Sequence, residues 1–157
     1  MRLLMFTVFV SLALPLQAAL GPAAPLETSV EISVLGTAPI RWALAQIESG
    51  HFENPDQARG SSGEVSRFQI MPEVWRSYTK SRNYTNPGVA WNVAFRILKE
   101  RQAWFIRRTG RHPSAFDLYV MWNKPGLYER VDFNRGRLPK QLREVANRFE
   151  NLVLAMR

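Results

Sequence analysis

Proline followed at once by apolar residues at helical spacing recurs along this chain, and that recurrence most narrows the folds it can adopt. Pro39 precedes Ile40, Ala43, Leu44 and Ile47; Asn86-Pro87 precedes Ala90, Val93, Ala94, Ile97, Leu98, Arg101, Trp104 and Phe105; Pro139 precedes Leu142, Val145, Ala146, Phe149, Leu152 and Val153. A proline in the first turn loses nothing by lacking an N–H, and the i, i+3, i+4, i+7 spacing gathers the apolar side chains on one face. Pro72 to Tyr78 reads as a shorter helix. Pro113-Ser114 opens another, with Ser114 and Asp117 at capping-box spacing. In that helix Phe116, Leu118, Tyr119, Val120, Met121 and Trp122 run nearly all round, so it is expected in the middle of the fold. Gly50 and Gly110 stop helices, Asn123 to Gly126 breaks one, and Lys80 to Tyr84 and Glu129 to Arg137 read as loops. The pattern predicts a mainly α, single globular helical domain with no internal repeat.

The chain has no cysteine, which excludes disulfides, thiolate metal sites and a cysteine nucleophile. The core must therefore hold the fold unaided, and an apolar content of 46% with five tryptophans suits that demand. Arg2, the apolar run Leu3 to Leu14, Pro15 and the small pair Ala18-Ala19 have the form of a secretory signal peptide cleaved near Ala18. Residues 1–18 are thus expected to be a signal and the destination secreted or periplasmic. An uncleaved anchor is the alternative, although the apolar run is too short to span a bilayer stably. Residues 19–38 are rich in alanine and proline and read as a linker leaning on the domain, with Val30 to Val34 able to form a short strand. That leaves 39–157 as the domain, expected to be a monomer.

Net charge is +8, spread without a dense run, which suits contact with anionic cell-wall polymers or membrane surfaces. Nucleic acid would attract the same charge, but no nucleic-acid motif is present and none is expected as a partner. His51 and His112 are too isolated for a zinc site, and no metal or cofactor is expected.

One carboxyl stands apart. Glu48 lies one turn beyond Leu44 and beside Ile47, on the edge of the buried stripe in the last turn before Gly50. Half desolvated there, it can keep its proton near neutral pH and act as a general acid; the plainer reading is a surface residue at a helix end.

The stretch Glu48-Ser49-Gly50-His51-Phe52-Glu53-Asn54-Pro55, followed by Ala58, Gly63 and Gln69-Ile70-Met71-Pro72, resembles the goose-type lysozyme and soluble lytic transglycosylase family. Met121-Trp122-Asn123-Lys124-Pro125-Gly126 resembles the Ala-Tyr-Asn-Ala-Gly segment of that family. The resemblance implies a domain of the α+β lysozyme-like superfamily with a glycan-binding cleft, cleaving peptidoglycan between N-acetylmuramic acid and N-acetylglucosamine without a cofactor. It makes Glu48 the catalytic acid and then the base toward the sugar's own 6-hydroxyl. It implies that Ser49 hydrogen-bonds near the reacting sugar, Gln69 holds an N-acetyl group, Met71 lines a subsite and Asn123 supports Glu48 or the sugar. By residue type alone, Ser49 is a helix-end serine satisfying the backbone and Gln69 a polar loop residue.

The chain also departs from that pattern. Ser66 replaces a glycine and Arg67 a leucine, which predicts a bulkier, more charged wall. Trp122 stands at a tyrosine position, which predicts that Glu48 lacks a hydroxyl partner; the indole could stack on a sugar or belong to the core. Lys124-Pro125 displaces the following glycine. Glu64 replaces an alanine and either faces Glu48 across roughly 6.5–9.5 Å as the base of an inverting hydrolase, or pairs with Arg67 or another arginine. Glu53, Asp56 and Glu73 read as solvated charges. Three functions follow: a lytic transglycosylase, an inverting lysozyme that uses Glu64, and a glycan-binding module weakened by these departures.

Overall fold

A computed structural model describes residues 37–156 of the chain. The expected signal and most of the expected linker lie outside the described residues. Those described are 67% helical and contain no strand. Among the described residues six helices follow one another: α1 Thr37–Ser49, α2 Pro72–Tyr78, α3 Pro87–Thr109, α4 Ala115–Asn123, α5 Pro125–Arg130 and α6 Lys140–Ala155. Short 3-10 turns at Pro55–Gln57 and Arg135–Arg137 complete the set. The first helix begins at Thr37, two residues before Pro39, so it takes in residues 37 and 38 of the expected linker.

The helix ends follow from local chemistry. Asn86 Oδ1 accepts from the backbone N–H groups of Gly88 and Val89, both at 2.9 Å, and Pro87 takes the first helical position of α3. Gly110 closes α3 at φ 69°, a left-handed conformation in which a side chain would be strained. Ser114 and Asp117 form the expected reciprocal capping box on α4.

Packing places α4 at the centre. It lies against α3, α5 and α6, and α1 packs on α6. Every residue of α4 from Ala115 to Met121 is buried, as the continuous apolar run requires. The stripes of α1 and α3 close over it with Ile40, Ala43, Leu44, Val93, Ala94, Leu98 and Phe105. Trp75 secures α2: its ring is fully buried against Tyr84, and its indole N–H donates to the carbonyl of Ser81 at 2.7 Å. Burying a ring of that size contributes on the order of 1.5–3 kcal/mol, and here it fixes the rim on which Met71 and Val74 stand.

The segment after Asn123 is more regular than its sequence suggests. Only Lys124 interrupts the helices, and Pro125 starts α5, which covers part of the expected Glu129 to Arg137 loop. Tyr128 explains it: fully buried against Phe105 and Phe133, it draws one helical turn onto the core.

Candidate functional site

Between α1 and α2 the chain from Ala58 to Met71 forms a compact wall. Val65 exchanges backbone hydrogen bonds with Ile70, both 2.9 Å, and the N–H of Gly60 donates to the carbonyl of Glu64 at 3.1 Å. Val65, Phe68 and Ile70 are buried in the core, while Arg67 and Gln69 between them are partly exposed. The path of this wall includes two left-handed residues that are not glycine, Ser66 at φ 65° and Gln69 at φ 48°. Ser66 thus adopts the backbone conformation that a glycine would take most readily. It does not thicken the cleft wall as expected, because it is 2% exposed and its hydroxyl accepts from the N–H of Phe68.

Opposite this wall stand the end of α1, the end of α4 and the middle of α3, and the space between is a cleft of about 370 Å³. Glu48, Glu64, Gln69, Met71, Trp122 and Asn123 all line it. Ser49, the remaining residue singled out in the sequence, does not. It is fully buried, and its hydroxyl donates to the carbonyls of Ala45 at 3.2 Å and Arg67 at 2.8 Å. It ties the last turn of α1 to the wall, as the helix-end reading anticipated in part, and it does not line the cleft in this structure.

Arg67 continues the same tie. Its guanidinium grips both carboxylate oxygens of Asp56, the second at 2.6 Å, so it pairs with Asp56 and not with Glu64. Asp56, expected as a solvated charge, is half of this clasp. The wall is therefore less charged toward the cleft than the sequence suggested, and Glu64 has no ion-pair partner among the described residues. The backbone N–H of Ser62 donates to Glu64 Oε2 at 3.0 Å and orients that carboxyl.

Glu48 is the most perturbed acid in the cleft. Burial pushes its carboxyl up from 4.5 to about 7. The Tyr119 hydroxyl and the Trp122 indole N–H approach it and favour the charged form, while the negative charge of Glu64 favours the neutral one. Oε1 is buried with no hydrogen-bond partner, so the two donors do not satisfy the group. A neutral carboxyl that lines an open cleft can give its proton to a ligand atom.

Tyr119 is the residue that sequence reasoning missed. Trp122 was expected to leave Glu48 without a hydroxyl partner; Tyr119, one turn earlier on α4, brings one, and the indole adds a second donor. Asn123 in turn interacts with the Tyr119 hydroxyl, so the contact with Glu48 runs through Tyr119. Tyr119 lies four residues before Asn123, which puts both on one face of α4. That spacing was legible, but not its position opposite Glu48.

Gly60 was missed as well. A Cβ at this position would lie 2.2 Å from Glu64 Oε2 and 2.6 Å from Gln69 Oε1. Both are ends of flexible side chains, so Gly60→Ala is expected to cost little stability while displacing two cleft side chains. Cleft function should fall roughly tenfold or more with the melting temperature nearly unchanged. A large loss of stability, or full function, would show that the glycine serves no purpose in the cleft.

Among the described residues no group of three or more histidine, aspartate or glutamate side chains is gathered where it could hold a metal ion. Compared with known proteins, the chain matches no family model, no curated protein and no solved structure.

Proposed function

We propose that this protein is a peptidoglycan lytic transglycosylase of lysozyme-like fold, cleaving the β-1,4 bond between N-acetylmuramic acid and N-acetylglucosamine. The observation that carries this reading is Glu48: a carboxyl that lines a cleft and is held neutral to about pH 7 by burial, with its buried Oε1 left without a hydrogen-bond partner. Glycoside cleavage needs such an acid, because the departing oxygen must be protonated as the bond to the anomeric carbon breaks.

In the first step Glu48 gives its proton to the glycosidic oxygen, and the C1–O bond breaks toward an oxocarbenium-like muramyl ring. The resulting carboxylate is stabilised by the Tyr119 hydroxyl and the Trp122 indole N–H, the two donors that favour its charged form. In the second step that carboxylate takes the proton of the 6-hydroxyl, whose oxygen closes on C1 to give a 1,6-anhydro ring. Glu48 ends protonated, as it began, and no water is consumed.

Gln69 supports the placement of the sugar. Its Nε2 donates to the carbonyl of Ser66 at 2.9 Å, which leaves Oε1 to accept from an acetamido N–H. Met71 and Val74 offer apolar surface at the rim. Association with anionic wall polymers would follow from the net charge of +8, and export from the N-terminal segment.

A second reading is supported by Glu64. It lines the same cleft, lies near enough to Glu48 for its charge to act there, and forms no ion pair among the described residues. A water held by Glu64 would give inverting hydrolysis in place of ring closure. Incubation with purified peptidoglycan sacculi tests the shared claim. Soluble fragments should appear, and protein that pellets with the wall while releasing nothing would instead be a glycan-binding module.

A further inference from the structure

The cleft holds two cations as well as two carboxyls. Arg101 reaches it from the middle of α3, and Lys124 stands at the single-residue break between α4 and α5. Neither forms an ion pair among the described residues, whereas Arg108 on α3 pairs with Glu129. Lys124 is exposed and Arg101 half-buried, so both can meet a ligand without breaking an existing bond.

Two uncommitted cations in a sugar-sized cleft are poorly explained by a neutral ligand. An N-acetylglucosamine polymer offers hydroxyl and acetamide groups, which need no counter-charge. A muramyl residue carries a lactyl side chain that ends either in a free carboxylate or in a stem peptide with carboxylates of its own. Arginine and lysine bind such groups through charge-assisted hydrogen bonds. Lys124 follows Asn123, which interacts with Tyr119, and both Asn123 and Lys124 line the cleft that Glu48 lines.

Resting on the transglycosylase reading, we propose that Arg101 and Lys124 are specificity-determining residues that bind a carboxylate of the muramyl substituent. They select peptidoglycan strands over neutral chitin-like strands.

Binding to the Glu48→Gln variant separates this inference from the activity on which it rests. Arg101→Gln and Lys124→Gln are each added to that background. Titration follows with three soluble ligands: peptide-bearing glycan strands, strands stripped of peptide by an amidase, and N-acetylglucosamine oligomers. Each added substitution should raise Kd for carboxylate-bearing strands roughly tenfold, and their binding should weaken with salt. Affinity for the neutral oligomers should stay unchanged and salt-independent, which also shows that the variants remain folded. A loss on peptide-bearing strands alone assigns the contact to the stem peptide, a loss on stripped strands alone assigns it to the free lactyl carboxylate, and a loss on both shows that the pair takes whichever carboxylate the substituent presents. Equal losses on all three ligands, or none, would overturn the inference while leaving the glycan reading intact. No binding of any glycan would overturn both.

Discussion

Glu48→Gln should lose roughly 10²–10⁴-fold or more in cleavage rate while making the protein more stable. The two effects share one cause. A carboxyl raised from 4.5 to about 7 binds its proton more tightly folded than unfolded. Its contribution to stability is therefore complete below about pH 4.5 and disappears as pH rises through about 7. Above that, holding the charged form buried costs the fold about 3 kcal/mol. Glutamine keeps the shape and removes the ionisation, so thermal melting should show the variant more stable by up to that amount at about pH 8 and nearly equal to the parent at about pH 4. Wild-type cleavage should fall as pH rises through about 7, because the free enzyme then loses its acid. Loss of activity with loss of stability at high pH would instead mark Glu48 as a structural group.

Asp117→Asn should be the most damaging single change to the fold among the charged residues. Its side chain is fully enclosed and receives Arg111 at 2.7 Å, Arg135 at 3.0 Å, the Tyr128 hydroxyl at 2.6 Å and the N–H of Ser114 at 3.0 Å. Burial alone would raise its pKa, but these four donors overcome it and hold the carboxyl near 2, below the ordinary 3.8. Asparagine keeps one acceptor oxygen but loses the charge and turns the other oxygen into an NH2 donor facing existing donors, which costs about 3 kcal/mol with both arginines half exposed. The pH sign is opposite to that of Glu48. Stability from Asp117 is complete above about 3.8 and is lost as pH falls through about 2, so the wild type should unfold in that acid window. Denaturant titration of Asp117→Asn should show the loss at neutral pH and a flatter acid limb. Because α4 carries both Asp117 and Tyr119, cleavage should fall only as the folded fraction falls, and a fully folded but inactive variant would contradict this assignment.

What the sequence conveyed well was local chemistry. The bounds of α2 and α3, the Asn86 cap, the Gly110 stop and the Ser114–Asp117 box all follow from residues within a turn of one another. The candidate acid was legible for the same reason, since Glu48 sits beside a clear apolar stripe. The short helix α5 was not, because its six residues present no repeating stripe and it is held by the distant packing of Tyr128 on Phe105. Nor were the pairs that shape the cleft. Arg67 meets Asp56 eleven residues away in the chain, and Ser49 meets the carbonyl of Arg67 eighteen away, across a wall whose left-handed turns occur at serine and glutamine. Ser66 stands where the resembling family has glycine and so read as a bulkier wall, when it is a buried part of the backbone path. Tyr119 was hidden by its apolar neighbours, and only the docking of α4 brings its hydroxyl to Glu48.

Mass spectrometry of the fragments released from purified peptidoglycan, run beside the Glu48→Gln variant, tests the central claim most directly. The mechanism predicts muropeptides ending in a 1,6-anhydro ring, lighter by one water than hydrolysis products and absent with the variant. Reducing-end products heavier by one water would contradict ring closure and place the second step on Glu64, and fragments released equally by the variant would contradict the role of Glu48.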